Sequence, residues 1–272
     1  MLMVSNLAGF GARRASAYIW DPDALFTSGE QGVFFDSSDL STMFQDRAGT
    51  TPVTADGQTV GKILDKSGRG NHAVAPNDSS RPLYKTSGGL HWLQFDGVDD
   101  CLSTAAINFT STAKMGIFAG AELVTAASST FLIELSANAL GNAGAFYLKT
   151  TDQGSNYLQV GTNTTDYLYG NSAVISRPST EVLAQLIDLS IAPDQQANQL
   201  KLRRNSSPET LSMTGYMPIG NFGTYPIYIA SRANGDYYFG GKIYSLIVRG
   251  ALSTTQEITD TETWVNGKTG AY

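Results

Sequence analysis

The 272-residue sequence has little of several residue types on which large classes of protein depend. Its single cysteine, Cys101, excludes an intrachain disulfide framework. Two histidines, His72 and His91, are too few for a structural zinc cluster. No stretch approaches the ~20 apolar residues of a membrane-spanning helix, and the first residues lack the basic-then-apolar order of a secretory signal. We therefore expect a protein made in the cytoplasm, without a signal peptide and without membrane insertion.

Charged residues are also scarce, at 15% of the chain, and the formal net charge is −6. Binding to a phosphate backbone requires clustered lysines and arginines. The basic doublets here, Arg13–Arg14 and Arg203–Arg204, are too short to form such a cluster. Nucleic acid and anionic membrane surfaces are therefore not expected partners.

Glycine (28), tyrosine (13) and phenylalanine (12) are plentiful, as tight turns and aromatic strands require. Short strand-like segments separated by polar turns follow one another along the chain: Met115–Val124, Thr130–Leu135, Ala145–Lys149, Tyr157–Thr162, Asp166–Tyr169, Val182–Leu189, Gln199–Arg203, Ile227–Ala230 and Lys242–Val248. This spacing predicts an all-β sandwich or barrel. One helix is predicted near the end, capped by Ser253 with Gln256 and packed onto the sheets by Trp264.

The first twenty residues differ from the rest, because apolar side chains alternate with flexible positions. We predict that residues 1–20 form an arm that docks on the domain or on a partner subunit, and that residues 21–272 form the sandwich. The apolar residues expected to dock are Leu2, Val4, Leu7 and Phe10.

Two stretches resemble a known family. Val60–Leu102 contains an Asp-Lys-Ser-Gly turn, an Arg-Pro step and a strand that ends in Phe-Asp-Gly before an Asp pair; Ile227–Gly270 reads as closing strands and a final helix. Both resemble the laminin-G-like, concanavalin A-like jelly-roll domains of phage and prophage virion proteins. The resemblance implies a two-sheet antiparallel β-sandwich with one short C-terminal helix. It also implies a virion location, other virion proteins as partners and a homo-oligomer, for which we expect a trimer.

Tyrosines beside Asn or Asp suggest where such a domain would bind a ligand. Aromatic rings stack on sugar faces while polar side chains hold the hydroxyl groups, and tyrosine buries a large area at low entropic cost. The candidate glycan-binding residues are Asn234, Asp236, Tyr237, Tyr238, Tyr167 and Tyr169. The alternative is that these tyrosines close the ends of the sandwich.

An acidic turn formed by Asp96, Asp99 and Asp100 is a candidate calcium site, because Ca²⁺ prefers hard oxygen ligands. The alternative is that the same carboxylates shape an Asx turn. No cofactor other than this Ca²⁺ is expected.

The leading hypothesis for function is a phage tail-tip, fibre or head-appendage protein whose lectin-like domain binds host-surface carbohydrate. One alternative is a capsid decoration protein without a ligand. Another is a glycosidase, which needs two carboxyl groups across the scissile bond. Glu122 and Glu134, on neighbouring strand-like segments, are the pair that would meet across a sheet, although both suit solvent-facing strand positions. We predict no catalytic residue and no enzyme activity.

Overall fold

A computed structural model describes residues 20–126, 128–138, 141–163, 167–191, 195–216, 219–233 and 235–272. The predicted arm, with Leu2, Val4, Leu7 and Phe10, lies outside the described residues, and so does Asn234.

The described chain is built almost entirely from short strands. The strands are β1 Gly32–Asp36, β2 Met43–Phe44, β3 Lys62–Ile63, β4 Ala73–Val74, β5 Leu83–Ser87, β6 Leu90–Asp96, β7 Leu102–Thr104, β8 Ile107–Asn108, β9 Lys114–Leu123, β10 Thr130–Leu135, β11 Ala145–Thr151, β12 Gln159–Asn163, β13 Tyr167–Asn171, β14 Ser179–Asp188, β15 Leu200–Arg204, β16 Ser207–Pro208, β17 Ser212–Gly215, β18 Thr224–Tyr225, β19 Ile227–Ile229 and β20 Gly240–Arg249. The helices are α1 Gln196–Gln199 and α2 Thr255–Thr269, with 3₁₀ turns at Pro22–Phe26 and Leu40–Thr42. None of these described helices is long and apolar enough to cross a membrane.

Two large antiparallel sheets face each other. The first has eight strands in the order β16-β15-β14-β9-β20-β6-β5, with β1 also paired to β20. The second has ten strands in the order β17-β13-β12-β11-β10-β19-β7-β4-β3-β2, and β18 and β8 form a separate two-stranded ribbon. The predicted antiparallel β-sandwich with a short C-terminal helix is therefore confirmed.

The core lies between the sheets, and side chains reach it by the two-residue period of the strands. In β11, Phe146 and Leu148 are fully buried in the core cluster, whereas Tyr147 and Lys149 lie on the opposite face. The ten-stranded sheet thus presents a regular set of side chains on its outer face.

The outer face of the eight-stranded sheet is covered instead by α2. Phe34 on β1 meets Trp264 of α2 edge to face, with ring centroids 5.3 Å apart, so the predicted packing role of Trp264 is confirmed. The predicted helix cap is wrong by one residue. Thr254, not Ser253, caps α2: it accepts from the Glu257 amide, while the Glu257 carboxylate accepts from the Thr254 amide.

Candidate functional site

A continuous row of residues crosses the outer face of the ten-stranded sheet. Each pairs directly with the next across neighbouring strands, in the order Lys62, Val74, Ser103, Tyr228, Glu134, Tyr147, Gly161, Tyr169 and Thr214. Their sequence neighbours, including Ile63, Ala73 and Leu148, belong to the core. Because successive residues of a strand point to opposite faces, this outer row faces away from the core.

Over β11–β13 the outer row opens into a depression of about 390 Å³. Tyr167 and Tyr169, both predicted to bind a ligand, stand at its edge with parallel rings, 5.9 Å between centroids and 10° between planes. Tyr167 is 57% exposed. A planar aromatic surface is therefore available to a ligand here.

Tyr147, which was not among the predicted ligand residues, forms the floor of this depression. Its ring lies against Gly161, where any side chain would collide with it. Its hydroxyl donates to Gln159 Oε1 at 3.1 Å, and Gln159 Nε2 donates to Asn171 Oδ1 at 3.0 Å. Burial raises the pKa of Tyr147, so its hydroxyl keeps its proton. The floor is thus fixed by packing and by hydrogen bonds.

A second depression of about 490 Å³ adjoins the first and shares Lys149, Asp152 and Gln153 with it. We call the two together the tyrosine cleft. On the far side it is lined by Phe131 and Tyr237, whose ring centroids are 6.0 Å apart. The Arg232 guanidinium lies over both rings, 5.8 Å from Phe131 and 5.5 Å from Tyr237.

Asp152 is the polar centre of the tyrosine cleft. Its carboxylate accepts from Ser129 Oγ at 2.7 Å and from Tyr157 Oη at 3.2 Å, and it pairs with Lys149 Nζ at 3.1 Å. Partial burial alone would raise the pKa of Asp152, but the hydrogen bond from Ser129 and the charge of Lys149 outweigh it and lower the pKa. Asp152 is therefore an ionised acceptor. Such an acceptor between aromatic rings suits a ligand rich in hydroxyl groups.

The other described ligand residues of the prediction, Asp236, Tyr237 and Tyr238, lie in the loop after β19, and their side chains do not share one site. Tyr237 has φ of 53°, which is uncommon for a residue other than glycine, and its side chain lines the tyrosine cleft. The half-buried Tyr238 lies near Asp99 and Cys101 instead, where burial raises its pKa. Asp236 is exposed, and its carbonyl accepts from the Arg232 amide. Tyr167, Tyr169 and Tyr237 are therefore the predicted residues that the cleft brings together.

The acidic turn gathers the three predicted carboxylates within 4.8 Å of one another. Asp96 Oδ1 accepts from the amides of Val98, Asp99 and Asp100, as an Asx turn requires. Burial, followed by the charge of Asp96, raises the pKa of Asp100 to about 6. This geometry suits the turn, and the calcium site stays a prediction.

The two glutamates of the glycosidase alternative do not meet. Glu122 lies on β9 of the eight-stranded sheet and pairs with Lys242 at 2.9 Å. Glu134 lies on β10 of the ten-stranded sheet, fully buried, and accepts from the Ala233 amide at 2.6 Å. The alternative in which they meet across one sheet is wrong, because β9 and β10 belong to different sheets. The interpretation that both glutamates face solvent is also wrong for Glu134, which is fully buried.

Most of the polar groups of the cleft belong to Lys149, Asp152 and Gln159, none of which was predicted as a site residue. The alternation of Phe146, Tyr147, Leu148 and Lys149 was a usable signal, since it places Tyr147 and Lys149 on one face of β11.

No family model and no curated protein matches the chain. Among solved structures, it is similar to the sialidase of Trypanosoma rangeli in complex with a difluoro-KDN sugar (TM-score 0.53, 11% identity, 87% of this chain and 32% of the sialidase). It is also similar to the binding domain of botulinum neurotoxin serotype G (TM-score 0.53, 10% identity, 75% of this chain and 48% of that domain's chain). A third similar structure is the binding domain of Paraclostridial Mosquitocidal Protein 1 (TM-score 0.54, 9% identity, 78% of this chain and 51% of the other). The chain spans about a third to a half of the length of these structures. At such identities the likeness shows a shared β-sandwich fold.

Proposed function

We propose that the protein is a carbohydrate-binding domain and that the tyrosine cleft holds the sugar. The observation that carries this is the combination of exposed Tyr167, stacked on half-buried Tyr169, with the ionised Asp152 and the Lys149 ammonium. The tyrosine rings offer flat apolar faces to a sugar ring. The Asp152 carboxylate and Lys149 ammonium offer an acceptor and donors to its hydroxyl groups.

The structural neighbours support this proposal. They include a sialidase solved with a sugar-derived ligand and two toxin domains named for binding. Sandwich folds host many unrelated functions, so the proposed sugar binding depends on the residues of the cleft itself.

A glycan array followed by titration calorimetry tests the cleft. We expect Tyr167→Ala to weaken binding of the preferred glycan about tenfold, which corresponds to about 1.4 kcal/mol. The matched control is Tyr272→Ala, because Tyr272 is comparably exposed, at 54%, but contacts Ser206 outside the cleft. Equal affinity of wild type and Tyr167→Ala for every bound glycan would show that the cleft is not the sugar site.

We place this binding on a bacteriophage particle, as a tail-tip, fibre or head-appendage protein, on the resemblance of Val60–Leu102 and Ile227–Gly270 to virion domains. The bound glycan should then compete with adsorption of the particle to its host. The decoration alternative predicts the opposite: particles that lack the protein still adsorb but break more easily.

A further inference from the structure

A third depression, of about 460 Å³, lies at the other end of the outer row. We call it the basic basin. Lys62, Val74 and Ser103 of the outer row form its base, and Arg47 and His72 stand at its sides. The basic basin and the tyrosine cleft therefore open on the same face of the same sheet.

The basic side chains of the basic basin are not paired with carboxylates of the described residues. In the part of the chain that the structure describes, Arg47, Lys62 and His72 form no ion pair. Asp46, next in sequence to Arg47, accepts from the amides of Gly49, Thr50 and Thr51. Its charge is thus held inside its own turn.

Local contacts fix two of these donors. Arg47 donates its Nε to the Ala75 carbonyl at 2.9 Å, which holds the guanidinium at the rim of the basin. His72 Nδ1 accepts from the Asp65 amide at 3.0 Å, so a neutral His72 carries its proton on Nε2 and can donate from there. The basic basin thus has hydrogen-bond donors from Arg47, Lys62 and His72. The planar guanidinium of Arg47 fits a carboxylate, sulfate or phosphate group.

The outer row connects the two depressions. From Tyr147 on β11 to Lys62 on β3 there are five strand spacings, or about 24 Å. Tyr228, half-buried, lies between them. Glu134 lies there too, but it is fully buried and bonded to the Ala233 amide, so its carboxylate does not face a ligand on the surface.

We propose that the ligand is an acidic oligosaccharide whose sugar rings occupy the tyrosine cleft and whose anionic substituent is held by Arg47, Lys62 and His72. This rests on the proposed carbohydrate-binding function and adds the chemical class of the sugar. A ligand confined to the cleft would leave the basin without a role, whereas an acidic chain long enough to span the outer row uses both.

The first test uses the basin alone. Sodium sulfate is titrated at constant ionic strength while the His72 imidazole resonances are followed by NMR. We expect a saturable shift in the wild type and in Lys201→Gln, whose exposed lysine lies on β15 of the other sheet. We expect none in the Arg47→Gln/Lys62→Gln double variant. A wild type without a saturable shift would overturn the assignment of the basin.

The second test uses an array of neutral, uronate-containing and sulfated oligosaccharides of graded length. We expect the long acidic members to bind best, and the double variant to lose about tenfold of that affinity while it keeps binding to neutral sugars. The inference is overturned if neutral or short glycans bind as tightly as long acidic ones and the double variant binds all of them like the wild type. That result would leave the proposed sugar site in the tyrosine cleft unaffected. If Tyr167→Ala has no effect on any bound glycan, the proposed function itself fails.

Discussion

Gly161 determines where the floor of the tyrosine cleft can lie. A Cβ atom at this position would occupy the space of the Tyr147 ring and its hydroxyl. Since Tyr147 is buried and bonded to Gln159, the ring cannot move aside without loss of that contact.

We expect Gly161→Ala to destabilise the protein by about 1–3 kcal/mol, as overpacking does, and to reduce glycan binding. Urea unfolding and calorimetry measure the two effects. The control is Gly267→Ala in α2, where a Cβ atom meets open space and should be neutral or stabilising. Unchanged glycan binding in Gly161→Ala would contradict the role of Tyr147.

Asp100 makes a pH-dependent contribution to stability. Its pKa in the folded protein is about 6, raised from an ordinary value of 3.8. The folded state therefore binds more protons than the unfolded state between these values. For this group the free energy of unfolding falls as the pH rises from about 4 to about 6, by about 2 kcal/mol.

We expect Asp100→Asn to remove this decrease, because the amide oxygen can still accept from the Asp96 amide but does not ionise. The effect is isolated by the difference in the free energy of unfolding between variant and wild type, measured across this pH range. Parallel curves for the two proteins would contradict it. The calcium hypothesis adds that about 1 mM Ca²⁺ raises the stability of the wild type more than that of the variant.

At the scale of elements, α2 shields the eight-stranded sheet and depends on its first turn. We expect Thr254→Ala to cost about 1 kcal/mol, because it removes the acceptor for the Glu257 amide. Thr255→Ala, at an exposed position one residue later, should change stability little. Thermal unfolding of both variants measures this, and equal melting temperatures would show that the cap contributes nothing.

The helix start also shows what local sequence can predict. Ser253 with Gln256 and Thr254 with Glu257 are overlapping capping boxes of equal quality. The tertiary structure selects the second, since Arg249 donates to Ser253 Oγ at 3.1 Å and pairs with Glu257 at 3.3 Å. The existence of the helix is a local property, whereas its first residue depends on a partner from β20.

At the scale of the molecule, the spacing of strands and turns was sufficient to predict a β-sandwich. The tyrosine cleft and the basic basin depend on register between strands that are far apart in sequence, such as Ser103 opposite Tyr228. Periodicity assigns a residue to a face but not to a partner. Local composition therefore predicted Tyr167, Tyr169 and Tyr237, which line the cleft, but not Lys149 or Lys62, which are single charges in ordinary strands.

The prediction that residues 1–20 mediate assembly also belongs to this scale. We expect deletion of residues 1–19 to leave the sandwich folded by circular dichroism but to reduce the oligomer, measured by light scattering after gel filtration. The double variant Leu7→Ser/Phe10→Ser should also reduce the oligomer, whereas the control Ser5→Ala/Asn6→Ala should leave it unchanged. An unchanged mass after deletion would show that the arm does not assemble the protein.

Cys101 is buried at 5% exposure, and burial together with the charges of Asp100 and Asp99 raises the pKa of its thiol. We therefore expect the native protein to react slowly with maleimides. A new cysteine at exposed Val174 or Tyr216 would accept a fluorophore selectively, with no need to replace Cys101 first. The fold thus provides a ready background for single-molecule measurements of ligand capture.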